Sequence, residues 1–283
     1  MAWMHILRVK CESLPQGDLL KKDGESVNII KESFEQKPTA PVARGSEWHI
    51  GNVATLNQTA LSFAMGRTMA VNLPQFDPTN HNFLDEEAQR APYTLGVFDF
   101  ETQVCGILRR PGVSQKAGEI AVKLATLLNA SGVAQRYNCN IIVDPIFDPA
   151  PFLEQIRSAA SVHKFTFFVS RPNPQDVDRL IQQPAERYTE ELNGTKTKIE
   201  TEGDNLDKEL VEDVANATAA KGDDASAVIR ADEGAKLKKI QLRGSALVEA
   251  VDETDDSGIL SSMLEAATGA YRRVRNLLAN TVQ

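Results

Sequence analysis

Four carboxylates offer the most direct route to chemistry. Asp99 and Glu101 stand at the end of an apolar run, 93–100, and Asp144 and Asp148 flank the end of a second run, 141–143. Paired acids at a strand terminus can hold a magnesium ion, which takes carboxylates and keeps several waters. A metal-dependent nuclease or other hydrolase is therefore one reading of the chain. A nuclease of that kind also wants a lysine two residues past an acid on a core strand, and none follows Asp99 or Asp144 so. Turn and helix-cap chemistry accounts for Asp144-Pro145 and Asp148-Pro149, and that structural reading is the stronger.

Other chemical signatures are missing. No G-x-x-x-x-G-K-[ST] or G-x-G-x-x-G phosphate cradle occurs. Ser62, Ser131 and Ser245 do not lie in a nucleophile elbow. Three cysteines, Cys11, Cys105 and Cys139, are far apart and odd in number. Buried, inert thiols in a reducing compartment fit them better than a disulfide or a nucleophile. His5, His49, His81 and His163 have no ligand spacing. No cofactor and no metal is expected, and the favoured reading is not an enzyme.

Basic clusters are the most specific charge feature. Lys236, Lys238, Lys239 and Arg243 fall close together, Arg272, Arg273 and Arg275 lie on a final helical stretch, and Arg109 and Arg110 close a hairpin. Arg171 ends a strand, at a position where sites often sit in α/β folds. Brought to one side of the molecule, these residues would make a basic face for phosphates on an acidic body. The net charge of −8 disfavours a whole-surface nucleic-acid binder. No aromatics interleave with the cations, so base stacking has little support. Taken singly, each cluster fits a solvated face or an ion-pair partner for the acidic runs 200–213 and 252–256.

The elements that must position these residues follow from hydrophobic period. With 42% apolar and 25% charged residues in 283, the chain can bury a sizeable core. No apolar run approaches the roughly 20 residues of a membrane helix. The start carries charge inside its apolar run and reads as a strand rather than a secretory signal, so a cytoplasmic protein is expected. Residues 13–46 read as loop-rich, with 27–30 a lone strand or helical turn. Leu61, Phe63 and Met65 alternate as in a half-buried strand. Residues 83–90 read as a short acidic helix, ended by Ala91-Pro92. A hairpin, 95–109, is followed by a helix that Ser114 would cap. Strands at 139–143 and 163–170 alternate with helices, one of them opened by Pro172. After an edge strand at 196–201 come a helix to Lys221-Gly222, two strands at 225–230 and 238–251, and a helix at 257–279. This pattern specifies an α+β fold, a mixed sheet with helices packed on it. It suggests a strand-rich N-terminal domain, 1–90, and a core domain, 91–283.

This order of parts, over roughly residues 90–280, resembles the bacterial phage-defence group containing the Kiwa system's soluble B component and the exclusion protein RexA. The resemblance lies in layout: a hairpin with an acid at its turn, helix–strand alternation, and a closing strand and helix. It implies a cytosolic prokaryotic antiviral protein that senses or binds nucleic acid during infection and works with a partner. The favoured expectation is a non-enzymatic binding or regulatory component, acting through self-association and a nucleic-acid or protein partner. The metal-dependent hydrolase is the alternative.

Overall fold

A computed structural model describes residues 2–14, 26–43, 46–113, 115–170, 182–192, 194–252 and 256–275. The first half holds β1 (Ala2–Ser13), α1 (Ser26–Glu35), β2 (Thr39–Ala43), β3 (Ser46–Asn57), β4 (Ala60–Asp77), β5 (Asn82–Arg90), β6 (Tyr93–Asp99) and β7 (Val104–Leu108). Then come α2 (Ala117–Ala130), α3 (Val133–Arg136), β8 (Cys139–Pro145), α4 (Ala150–Ser158), β9 (Ser161–Ser170) and α5 (Gln182–Glu191). The chain continues through β10 (Lys196–Glu202), α6 (Lys208–Lys221), β11 (Ala225–Arg230), β12 (Leu237–Gln241), β13 (Val248–Val251) and α7 (Asp256–Val274). The α+β class is as the sequence specifies.

A nine-stranded antiparallel sheet runs β13-β1-β7-β6-β4-β3-β2, with β8 also on β1 and β5 on β4. A second sheet of four strands has the order β10-β9-β11-β12. In the large sheet β1 pairs with β7 along one edge, and with β13 and then β8 along the other. Both faces of β1 are covered. Leu7, Val9 and Cys11 join the core under α1, α2 and α3, whereas Met4 and Ile6 join the core shared by α7, α6, α4 and the small sheet. His5, Arg8 and Lys10 are buried along it too, so β1 departs from the continuous apolar run usual for a doubly covered strand.

Local chemistry explains the boundaries. Ala117, Ile120, Ala121, Leu124, Leu127 and Leu128 put one stripe of α2 into the core. The side chain of Asp207 accepts from Leu210 N–H at 2.9 Å and caps α6, which Gly222 ends at φ +79°. An added Cβ at Gly222 would meet Asp144 Cβ at 2.8 Å, so the glycine also permits close approach of α6 to β8.

Several expectations are corrected. Residues 83–90 form strand β5, because the backbone groups of 82–90 pair in register with 69–77. The segment 27–30 belongs to α1, which buries Ile29, Ile30 and Phe34. The stretch 238–251 is two strands on different sheets: β12 pairs with β11, and β13 crosses to β1. The boundary expected at residue 90 falls between strands of one sheet, since β1 finds its neighbours after residue 93. Ser114 and the helix opened by Pro172 lie outside the described residues.

Gly96 sits at a tight packing point of the large sheet. It faces Phe63 across the β4–β6 ladder, and a Cβ there would stand 2.3 Å from Phe63 Cζ. Phe63 is in turn packed on Phe34, with ring centroids 4.7 Å apart. Overpacking of this kind costs about 1–3 kcal/mol. Gly96→Ala is expected to lower the unfolding free energy measured in urea by that amount, with a matching fall in the midpoint, and an unchanged free energy contradicts the packing described.

Candidate functional site

The cations singled out in the sequence occupy separate surfaces. Arg109 is exposed just past β7, where its N–H donates to the Trp3 carbonyl at 2.7 Å. It lies near His5, on the face of the large sheet that carries α2. Arg110 sits 5.7 Å from the Tyr93 ring centroid. Arg272 and Arg273 are exposed on α7, which covers the opposite face, and Arg273 is ion-paired with Glu249 of β13. Arg275 is half-buried one residue past α7. Lys236, Lys238, Lys239 and Arg243 cluster around β12, at the edge of the small sheet. Lys238 Nζ donates to Gln155 Oε1 at 3.4 Å, and the Arg243 guanidinium lies 6.0 Å from the Phe147 centroid. Arg171 lies outside the described residues. The structure thus keeps these four close in sequence but on different faces, Lys239 on one side of β12 and Lys238 on the other, and separates them from Arg109, Arg110 and the α7 arginines.

The carboxylates have local duties. Asp99 Oδ2 accepts from Thr102 N–H at 2.8 Å and from its hydroxyl at 2.6 Å, closing the β6–β7 turn. Asp148 Oδ1 accepts from Ala150 N–H at 3.0 Å at the start of α4. Glu101 is exposed. Asp144 Oδ2 is 2.8 Å from Lys10 Nζ, which is buried on β1 and also donates to the Lys221 carbonyl at 3.1 Å. Among the described residues no three His, Cys, Asp or Glu side chains are placed to hold a metal ion. The thiols of Cys11, Cys105 and Cys139 are free and buried, with Cys11 and Cys139 Sγ 3.5 Å apart. Burial pushes the Cys105 thiol up, away from the thiolate that a nucleophile requires.

Lys10 and Asp144 form the floor of a cleft of about 280 Å³ between the two sheets. Glu12, Lys196, Gly222, Asp223, Asp224 and Arg243 complete most of its lining. Beside it Lys221 is buried, 3.8 Å from Asp223, with no hydrogen-bond partner for its Nζ among the described residues. Burial lowers the pKa of Lys221, with Asp223 and Glu186 opposing that shift. The cleft carries both signs of charge in near balance, so its lining selects neither an anion nor a cation.

A second feature has a clearer direction. Beyond Thr68, β4 loses its pairing with β3 and continues with β5 as a two-stranded arm, 69–90. Among the described elements β5 packs closely on β4 alone. The arm's turn is built by Asp77, whose Oδ1 accepts from Thr79 N–H at 2.8 Å and Asn80 N–H at 3.4 Å. These bonds hold its carboxyl below the usual range. Register places Phe76 directly opposite Phe83, and their centroids are 5.2 Å apart. Both are open to solvent, Phe83 at 81% and Phe76 at 50%, and Leu84 on the other face is 54% exposed. Sequence reading missed the arm. The signal available was the alternation Met69, Val71, Leu73 running into a turn flanked by aromatics.

No protein-family model and no curated protein matches the chain.

His5, beside Arg109, supplies a pH test of the α2 face. Its Nε2 lies 3.0 Å from the Gln115 carbonyl and donates to it, and its Nδ1 is buried without a partner among the described residues. Burial holds the ring below its ordinary 6.5, the Gln115 carbonyl opposes this, and Arg109 adds to it. The unfolded chain therefore binds a proton at His5 before the folded chain does. The resulting stability is present above about pH 6.5 and is lost as pH falls through the window below it. Unfolding free energy measured in urea from about pH 7 to pH 5 should fall less steeply in His5→Gln than in the parent. Equal slopes contradict a buried neutral imidazole.

Proposed function

We propose that the chain is a non-enzymatic binding or regulatory component that works by association with protein, and that the arm 69–90 makes the contact. The observation that carries this reading is the solvent-exposed aromatic pair Phe76–Phe83 at the end of a ribbon whose β5 strand packs closely, among the described elements, on β4 alone. Fully burying one such side chain contributes about 1.5–3 kcal/mol, and the free arm forgoes most of this at Phe83 and about half of it at Phe76. A two-stranded hairpin alone is marginal in water, so a surface that covers this one stabilises it.

Charge selects the class of partner. Asp77, Asp85, Glu86 and Glu87 stand against Arg90 in the arm, an excess of carboxylates that repels a phosphate backbone or an anionic bilayer. A protein surface with cations and apolar groups complements it. The separation of the arginine clusters, with Arg273 ion-paired, also supports protein rather than nucleic acid as the partner. A place in bacterial defence against phage belongs to the same proposal and rests on the resemblance in layout. No helix among the described residues is long and apolar enough to cross a membrane.

Replacing Phe83 by the photo-crosslinker benzoylphenylalanine tests the reading in cells that make the protein. Val122, 64% exposed on α2, is the control position. Irradiation should give a protein adduct above 31.0 kDa from position 83 and not from position 122. Equal yields at the two positions, or no adduct, overturn it.

A further inference from the structure

The four-stranded sheet has one covered face and one open face. Phe165, Phe167 and Val169 of β9 point into the core with Ala225, Ala227 and Ile240. Alternation then sends Lys196, Lys198, Glu200 and Glu202 of β10, Lys164 and Phe168 of β9, Val228 and Arg230 of β11, and Leu237 and Lys239 of β12 to the other side. Among the described residues no helix packs on that side. Contacts across it confirm the grouping. Lys164 pairs with Glu200 at 2.9 Å and with Glu202, and Lys198 pairs with Glu200 at 2.6 Å. Bonds from Lys198 and Lys164 hold the Glu200 carboxyl down to about 2. Lys196 Nζ lies 4.0 Å from the Phe168 ring centroid.

Five cations and two carboxylates therefore share one surface in which Leu237 is 51% exposed. This is the charge opposite of the arm. One face of the ribbon presents Ala70, Asn72, Pro74 and Phe76 from β4 with Gln89, Glu87, Asp85 and Phe83 from β5. The arm's edges are poorly suited to strand addition. Pro74 lacks an N–H on one, and the acidic stretch 85–87 marks the other. Its faces remain, and two antiparallel sheets stack face to face at about 10 Å.

We infer that the occupant of the arm is a second copy of this chain. The face bearing Phe76, Phe83, Asp85 and Glu87 lies across the open face of the partner copy's small sheet. Its rings cover Leu237 and Val228, and its carboxylates meet Lys239 and Lys164, which share one row of the sheet with Val228. Exchange of both arms makes the contact isologous and closes it as a two-fold dimer. This inference rests on the arm being a protein-docking element and adds the identity of the partner and of the receiving surface.

Sedimentation velocity of the purified full-length chain at low salt tests it. The parent should sediment as a dimer of the 31.0 kDa chain. Asp85→Lys with Glu87→Lys should weaken the dimer about tenfold or more, as should Lys164→Glu with Lys239→Glu, because each sets like charges against one another. Combining the two pairs of reversals should restore most of the affinity. A parent that stays monomeric, reversals without effect, or a combination without rescue overturns the inference. An adduct between position 83 and a different protein, with a monomeric parent, leaves the docking arm standing and removes the second copy as its occupant.

Discussion

The fold depends on β1. Hydrogen-bonded on both edges and covered on both faces, it joins the first residues of the chain to β7, β8 and β13. Its inward positions change character along its length. Met4 and Ile6 meet α7, while Arg8 and Lys10 continue the same face toward α6. Arg8 stacks 4.9 Å over the Tyr271 ring, and Lys10 is ion-paired with Asp144 while it donates to the end of α6. A slip of one residue would turn Lys10 toward the apolar core beneath α2, at the cost of burying an unpaired charge. The charged half of β1 thus fixes register, and with it the junction at which the small sheet meets the large one.

Strand β4 shows the opposite regime within one element. Its first half is buried between β3 and β6, with Phe63 and Met65 in the core. Its second half leaves that cover and carries aromatic side chains into solvent. The free energy that holds residues 60–68 in place comes from both neighbours and a packed face, whereas residues 69–77 are held by one ladder. Low local stability is the usual property of segments that bind partners. The arm is therefore anchored at its base by the buried half of β4 and leaves that cover toward its tip.

The sequence was legible where burial imposes a single period. The stripe of α2, the β6–β7 hairpin, the β10 edge strand and the glycine stop of α6 could all be read from spacing and turn chemistry. The arm was not, because one of its faces is exposed and the other only half-buried, and the run of acids at 85–87 imitates a surface helix. The two destinations of β12 and β13 were also hidden, since strand pairing over long separations leaves no local trace. The same limit applied to the candidate site. Lys164, Lys196, Lys198 and Lys239 lie on three strands and become one surface only through the order β10-β9-β11-β12. Conversely, Arg109 and Arg272 looked equivalent by composition, and the sheet between them places them on opposite faces.

Backbone amide exchange, followed by mass spectrometry on the full-length chain at dilute and at high concentration, tests the central claim most directly. Amides of β1 should be protected at both concentrations. Those of 69–90 should exchange freely when dilute and become protected when concentrated, with a matching gain across β12. An arm that exchanges at the same rate under both conditions would contradict an element held in readiness for a partner copy.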